Sequence, residues 1–220
     1  MPGLENGAPP ISVVLLAAVL IVYGVMWGRE RRRRRSGLQA WLSSIGFESV
    51  LPPATVDASL ISFPYGDVHG RAHWNWQCRC LCGACWITVG DVRFIPRTGK
   101  RPSRTDEVEQ TVVHVSGLRD DVVYGSVPVE HRGAAEAAAA GQAVREAGVG
   151  WTAWGELPDW LVGAVEPFPP PVVIRQRGEL CVSWPDATID RDRLEALIAL
   201  VRRLVRVESG AGSATSGDVR

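Results

Sequence analysis

Four of the five cysteines in this 220-residue chain fall close together, at Cys78, Cys80, Cys82 and Cys85, with Cys181 far downstream. Three kinds of chemistry fit such a cluster. As thiolates the four could ligate zinc or an iron–sulfur cluster, and Cys82-Gly83-Ala84-Cys85 is the better half because a turn lets two sulfurs converge. As a dithiol, Cys82 and Cys85 could cycle with a disulfide. As small apolar residues, the cysteines need only fill a buried face, and this is the preferred reading. Spacing weighs on the choice. Residues at i and i+2 of a straight strand stand about 6–7 Å apart, whereas two sulfurs on one zinc lie within about 4 Å, so Cys78, Cys80 and Cys82 converge only through a bulge.

The element that must position these thiols is a hairpin. From Arg71 to Pro96 the pattern has a two-residue period: Trp74, Trp76, Cys78, Cys80 and Cys82 share one face, His73, Asn75, Gln77 and Arg79 the other. Gly83-Ala84 fits a two-residue type II′ turn, which needs positive φ at its first central position. That register sets Cys82 beside Cys85, Cys80 beside Ile87 and Cys78 beside Val89.

Around the hairpin, Ser59 to Phe63 reads as a short strand, and Gln110 to Val115 and Val122 to Val127 as two more, so a four-stranded antiparallel meander is expected. Arg97 to Glu107 reads as an exposed loop. Gly133 to Ala147 is Ala-rich and predicts a helix capped at Gly148. Trp151, Trp154 and Trp160 are expected to pack in the core, with a short helix from Leu157 through Val165 and a rigid proline spacer at Pro167 to Pro171. Val172 to Arg175 and Leu180 to Trp184 read as strands joined at Arg177-Gly178. A final helix capped by Asp190 has Leu194, Leu197, Ile198, Val201, Leu204 and Val205 on its apolar face.

Other chemistry is sparse. The chain holds no GxSxG, HExxH, P-loop or GxGxxG in a strand-to-helix setting. Asp67, His69 and His73 near a Gly-rich bend read as solvated residues, and His114, inside a β-branched run, as a sheet histidine. No catalytic residue is assigned.

What stands ahead of this body is an uncharged apolar run, Ile11 to Trp27, followed by Arg29, Glu30 and five consecutive arginines, Arg31 to Arg35. Extended from Pro9 to Gly28 it reaches about 30 Å as a helix, the thickness of a bilayer core. Positive charge follows the run rather than preceding it, which predicts a retained anchor with the N-terminus outside and the remainder in the cytoplasm. The arginines also suit anionic lipid headgroups. Leu38, Trp41, Leu42 and Ile45 then form a short amphipathic helix ending at Gly46. Beyond Ser36 the chain carries 18 basic against 22 acidic residues. A mildly acidic body without a basic face argues against binding nucleic acid.

The anchor with its Arg flank, the stretch from Gly66 to Val89, the Thr111-Val112-Val113 strand and Leu180 to Trp184 before a Leu-rich helix resemble small, membrane-anchored actinobacterial proteins of unassigned function. The resemblance implies an α+β domain and no activity, and it leaves the cysteine cluster unexplained. The sequence thus predicts an α+β protein: an outer N-terminus over 1–10, a transmembrane helix over 11–28, a basic segment over 29–35, a cytoplasmic domain over 36–208 made of a mainly antiparallel sheet with a C-terminal amphipathic helix, and a disordered tail over 209–220. Its expected role at the cell membrane is to bind or scaffold a protein partner. The alternative is thiol-based metal binding, with zinc, or redox sensing.

Overall fold

The computed structural model describes residues 11–50, 58–65, 68–97, 107–147, 150–158, 171–185 and 189–208. The expected outer N-terminus, Asp67, most of the loop over 97–107, Trp160, the helix and proline spacer predicted over 157–171, and the tail over 209–220 fall wholly or mainly outside these residues. The chain divides into two compact units, Met1–Ile45 and Gly46–Arg220.

The described residues of the first unit form one helix, α1 (Ile11–Ser44), 34 residues long. At 1.5 Å per residue it extends about 50 Å. Sequence periodicity predicted two helices here, but nothing between Trp27 and Leu38 breaks the backbone ladder. Glu30 and Arg34 pair one turn apart at 3.2 Å, and Ser36 Oγ donates to the Arg32 carbonyl at 2.8 Å. The Glu30–Arg34 pair, at i and i+4, supports a helix that carries a dense run of like charge. The helix stops at Gly46, whose φ of +91° is the left-handed conformation that glycine adopts without a Cβ penalty.

The second unit is an antiparallel sheet of nine strands with short helices and one long one. The strands are β1 (Glu48–Ser49), β2 (Val68–Cys82), β3 (Cys85–Pro96), β4 (Val108–Ser116), β5 (Tyr124–Pro128), β6 (Arg145–Glu146), β7 (Trp151–Trp154), β8 (Val172–Gln176) and β9 (Glu179–Pro185). Their order across the sheet is β1-β2-β3-β4-β9-β8-β5-β7-β6. Among the described residues of this unit the α-helices are α2 (Ala58–Ile61), α3 (Arg132–Ala138) and α4 (Arg191–Glu208), with a 3-10 turn at Val129–His131 leading into α3.

Several expectations change at this level. The predicted meander stops at β4, because β9 takes the place beside it and β5 pairs instead with β7 and β8. Ser59 to Phe63 is not a strand. Ala58–Ile61 is a helical turn, continued by bonds from Phe63 N to the Leu60 carbonyl and from Tyr65 N to the Ser62 carbonyl. A short apolar run without alternation buries equally well either way, and here Leu60, Ile61 and Phe63 all reach the core. The Ala-rich helix spans only Arg132–Ala138, since Ala140 and Gly141 turn the chain with φ of 51° and 87° before β6. Trp154 is fully buried, on strand β7.

The sheet has two covered faces. On one, Ala72, Trp74, Val92, Phe94, Val112, Ile174 and Cys181 pack with Leu60, Ile61, Ala135 and Trp154. Gln110 ties this face to α2 by donating to the Ile61 carbonyl. On the other lies α4, whose Leu194, Leu197, Ile198, Val201 and Val205 are buried. Five such side chains contribute on the order of 10 kcal/mol of apolar burial before conformational entropy offsets it. The expected cap is present, with Asp190 Oδ1 accepting from Arg193 N at 2.9 Å.

Candidate functional site

The cysteine hairpin is built as its residues dictate. Cys82 pairs with Cys85, Cys80 with Ile87 and Cys78 with Val89. Gly83 takes φ of +60° while Ala84 stays out of the left-handed region, the signature of a type II′ turn. The register shifts twice, between His69 and His73 and between Trp74 and Trp76, and the second shift changes faces. Trp74 pairs with Val92 but Trp76 with Asp91, so two residues of β2 advance against one of β3 in a bulge. The bulge sends Trp74 to the face opposite the hairpin cysteines, correcting the expectation that Trp74 and Trp76 share a side. Gly90 sits across from this kink, where a Cβ would overlap the Trp76 carbonyl and crowd the Trp74 ring.

Cys78, Cys80 and Cys85 are buried and Cys82 is half-buried at the turn. Two of these thiols, Cys85 and Cys80, have defined neighbours. Cys85 Sγ donates to the Gly117 carbonyl at 3.1 Å, and the Arg202 guanidinium on α4 approaches Cys80 Sγ at 4.0 Å while lying over the Phe47 ring. Burial pushes the Cys80 thiol up, against the pull of Arg202, and burial with the Glu208 carboxylate nearby pushes Cys85 up as well. Both are therefore thiols at neutral pH rather than poised thiolates. Cys181 is remote from them, on the other face of the sheet, where burial raises it to about 12.

No disulfide joins any of the five cysteines. Among the described residues no group of three or more His, Cys, Asp or Glu side chains is arranged to hold a metal ion. Of the four candidate zinc ligands, Cys78, Cys80 and Cys82 alternate along β2, and Cys85 stands across the turn from Cys82.

Sequence reasoning missed a second polar cluster on the α4 face. Arg175 on β8 is fully buried, yet its Nη2 donates to Glu208 Oε2 at 3.0 Å and to the Arg119 carbonyl at 2.9 Å. The Arg119 amide donates to the same Glu208 oxygen at 3.1 Å. Tyr124, opposite Arg175 on β5, is raised to about 12 by burial, with Arg175 pulling it down. The last turn of α4 is thus fastened to the sheet by a carboxylate that reaches a buried cation. In sequence, Arg175 and Glu208 are ordinary charged residues in separate elements, and nothing local marks them as partners.

Further polar groups are satisfied in place. Asp91 accepts from Trp76 Nε1 at 2.6 Å and from Thr111 Oγ1 at 2.9 Å, which holds both residues on the α4 face. His114 finds Glu179 on the neighbouring strand at 3.5 Å, so the sheet histidine has a partner that spacing did not disclose. His73 is exposed on β2. At the hairpin tip, Leu81 and Trp86 form an exposed cross-strand pair, and the Arg79 guanidinium lies 4.6 Å from the Trp86 ring centroid. A scan against protein-family models and searches of curated proteins and of solved structures find no match for this chain.

α1 is long and apolar enough to cross a membrane. From Val13 to Trp27 its large apolar side chains are all more than half exposed, unlike those of a core helix.

Proposed function

We propose that the chain is a single-pass membrane protein whose C-terminal unit works at the cytoplasmic face, where it binds or scaffolds a protein partner. The observation that carries this reading is the exposed apolar length of α1 followed, on the same unbroken helix, by Arg29 and Arg31 to Arg35. Arginines behind an apolar span are retained on the cytoplasmic side, which directs Gly46 onward inward. An apolar segment with its charge after it, continuing as helix to Ser44, supports a retained anchor over a cleaved leader. Five consecutive arginines at headgroup depth attract anionic lipid at about 1 kcal/mol each. The partner reading is supported by the exposed Leu81, Trp86 and Arg79 at the hairpin tip, an apolar and cationic set of the kind enriched where proteins meet.

Three measurements test it. The full-length chain, tagged at both ends, is expected to resist alkaline extraction from membranes and to keep its N-terminal tag. A cytoplasm-dependent reporter fused after Arg220 should be active and a periplasm-dependent one silent. Loss of the tag, or the reverse reporter pattern, defeats the anchor or its orientation. A photo-crosslinking residue at position 81 should yield one discrete protein adduct in intact membranes, and its failure at both 81 and 86 removes the hairpin tip as the partner surface.

A further inference from the structure

We infer that Cys82 and Cys85 form a reversible thiol–disulfide modification site at the turn of the β2–β3 hairpin, oxidised by a low-molecular-weight disulfide. The two residues are directly opposed across a two-residue turn. Residues in that position have Cα atoms about 5.5 Å apart, inside the range a disulfide bridges. Their side chains leave the same face of the sheet, and their Cβ atoms stand about 4.5–5.5 Å apart against the 3.5–4.5 Å that a disulfide requires. The turn must therefore close by about 1 Å, and a bond made under such strain is easily reduced, which marks a switch rather than a permanent staple.

Access and order follow from burial. Cys82 is half-buried and meets the oxidant first, whereas Cys85 is buried and donates to the Gly117 carbonyl. Cys82 loses its proton to solvent and attacks one sulfur of the small disulfide, forming a mixed disulfide and expelling one thiolate, which takes up a proton. Cys85 then loses its proton to solvent, attacks Cys82 Sγ and expels the second thiolate. Two protein thiols have lost two electrons, and the small disulfide has been reduced to two thiols. Cys80, the diagonal neighbour on the same face, is the competing thiol, but it sits against Arg202 and is paired with Ile87. Closing the bond draws Cys85 off Gly117, two residues from the Arg119 amide that holds Glu208. The thiol state is thereby linked to the seat of the last turn of α4.

The test exposes the full-length protein, purified reduced in mild detergent, to oxidised glutathione, followed by alkylation, digestion after arginine and mass spectrometry. Cleavage at Arg79 and Arg93 releases Cys80, Cys82 and Cys85 in one peptide. The expected product is lighter by two hydrogens, carries one alkyl group at Cys80, and returns to three alkyl groups after mild reductant. C85S should trap one glutathione on Cys82, C82S should form no bond, and C80S should behave as the parent. Cys82 is only half-buried, so C82S tests the site even if C85S fails to fold. Three alkylated cysteines after prolonged oxidation, glutathione retained on Cys82 in the parent protein, or a bond that persists in C82S would each overturn the assignment.

Discussion

Glu208→Ala removes the acidic partner that Arg175 has among the described residues, and the Arg175 side chain has no exposure of its own. Among the described residues Arg175 Nε and Nη1 have no hydrogen-bond partner, so of these residues the variant leaves the buried cation only the Arg119 carbonyl. Breaking a buried pair from this side costs about 3–5 kcal/mol, because the remaining charge stays desolvated. The reverse change is milder. In Arg175→Met the Glu208 carboxylate, 15% exposed, keeps the Arg119 amide and gains water, so the loss should be about 1–2 kcal/mol. The double variant should lose less than Glu208→Ala alone, because the stranded cation is gone. Urea unfolding of the full-length protein in mild detergent, followed by tryptophan fluorescence, reads the difference. With a slope of about 2 kcal/mol per molar urea, Glu208→Ala should lower the midpoint by about 2 M and Arg175→Met by under 1 M. Equal shifts for the two single variants, or an additive double variant, would refute the claim that the buried guanidinium depends on this carboxylate.

Gly125→Ala should destabilise by about 1–3 kcal/mol or more, because a Cβ there overlaps the Trp154 ring and approaches the Val173 carbonyl; Gly133→Ala, in open space on α3, should be neutral or slightly stabilising in the same unfolding assay. Asp190→Ala deletes the cap bond to Arg193 N and should cost about 1 kcal/mol, read as a lower melting temperature with fraying confined to the first turn of α4 in amide exchange. Stability should also fall at alkaline pH. Burial raises Cys181 and Tyr124 to about 12, and Cys80 and Cys85 upward, so the unfolded chain releases protons that the folded one keeps. Stability is then full below about pH 8.5 and is lost progressively toward pH 12, and Cys181→Ala should make that fall shallower in a series of urea midpoints against pH.

The parts of this protein that were legible in sequence are those specified locally. Gly83 determines the turn conformation and hence the pairing of Cys82 with Cys85. Arg177 and Gly178, both at positive φ, turn β8 into β9, and Asp190 with a 3.6-residue apolar period defines α4. The rest depends on partners distant in the chain. Nothing near His114 announces that Cys181 will lie across from it, because the pairing of β4 with β9 is a tertiary choice. Trp74 was placed on the wrong face because one extra residue in a bulge reverses every side chain before it. The polar cluster was invisible for a similar reason: Arg175 acquires its meaning only when Glu208, 33 residues later, closes over it.

The place of β9 in the middle of the sheet sets a schedule for synthesis. β4 is made well before the strand that pairs with its open edge. At about 5–20 residues per second, the roughly 70 residues from Ser116 to Pro185 take about 4–14 s to appear. Throughout that interval the edge carrying Val112, Val113 and Val115 is unpaired, a ready template for another chain. The nascent protein therefore needs shielding just when its first hairpin is already complete. A chain interrupted before Glu179 would present that valine-rich edge permanently, and aggregation rather than a smaller soluble domain is the fate its topology dictates.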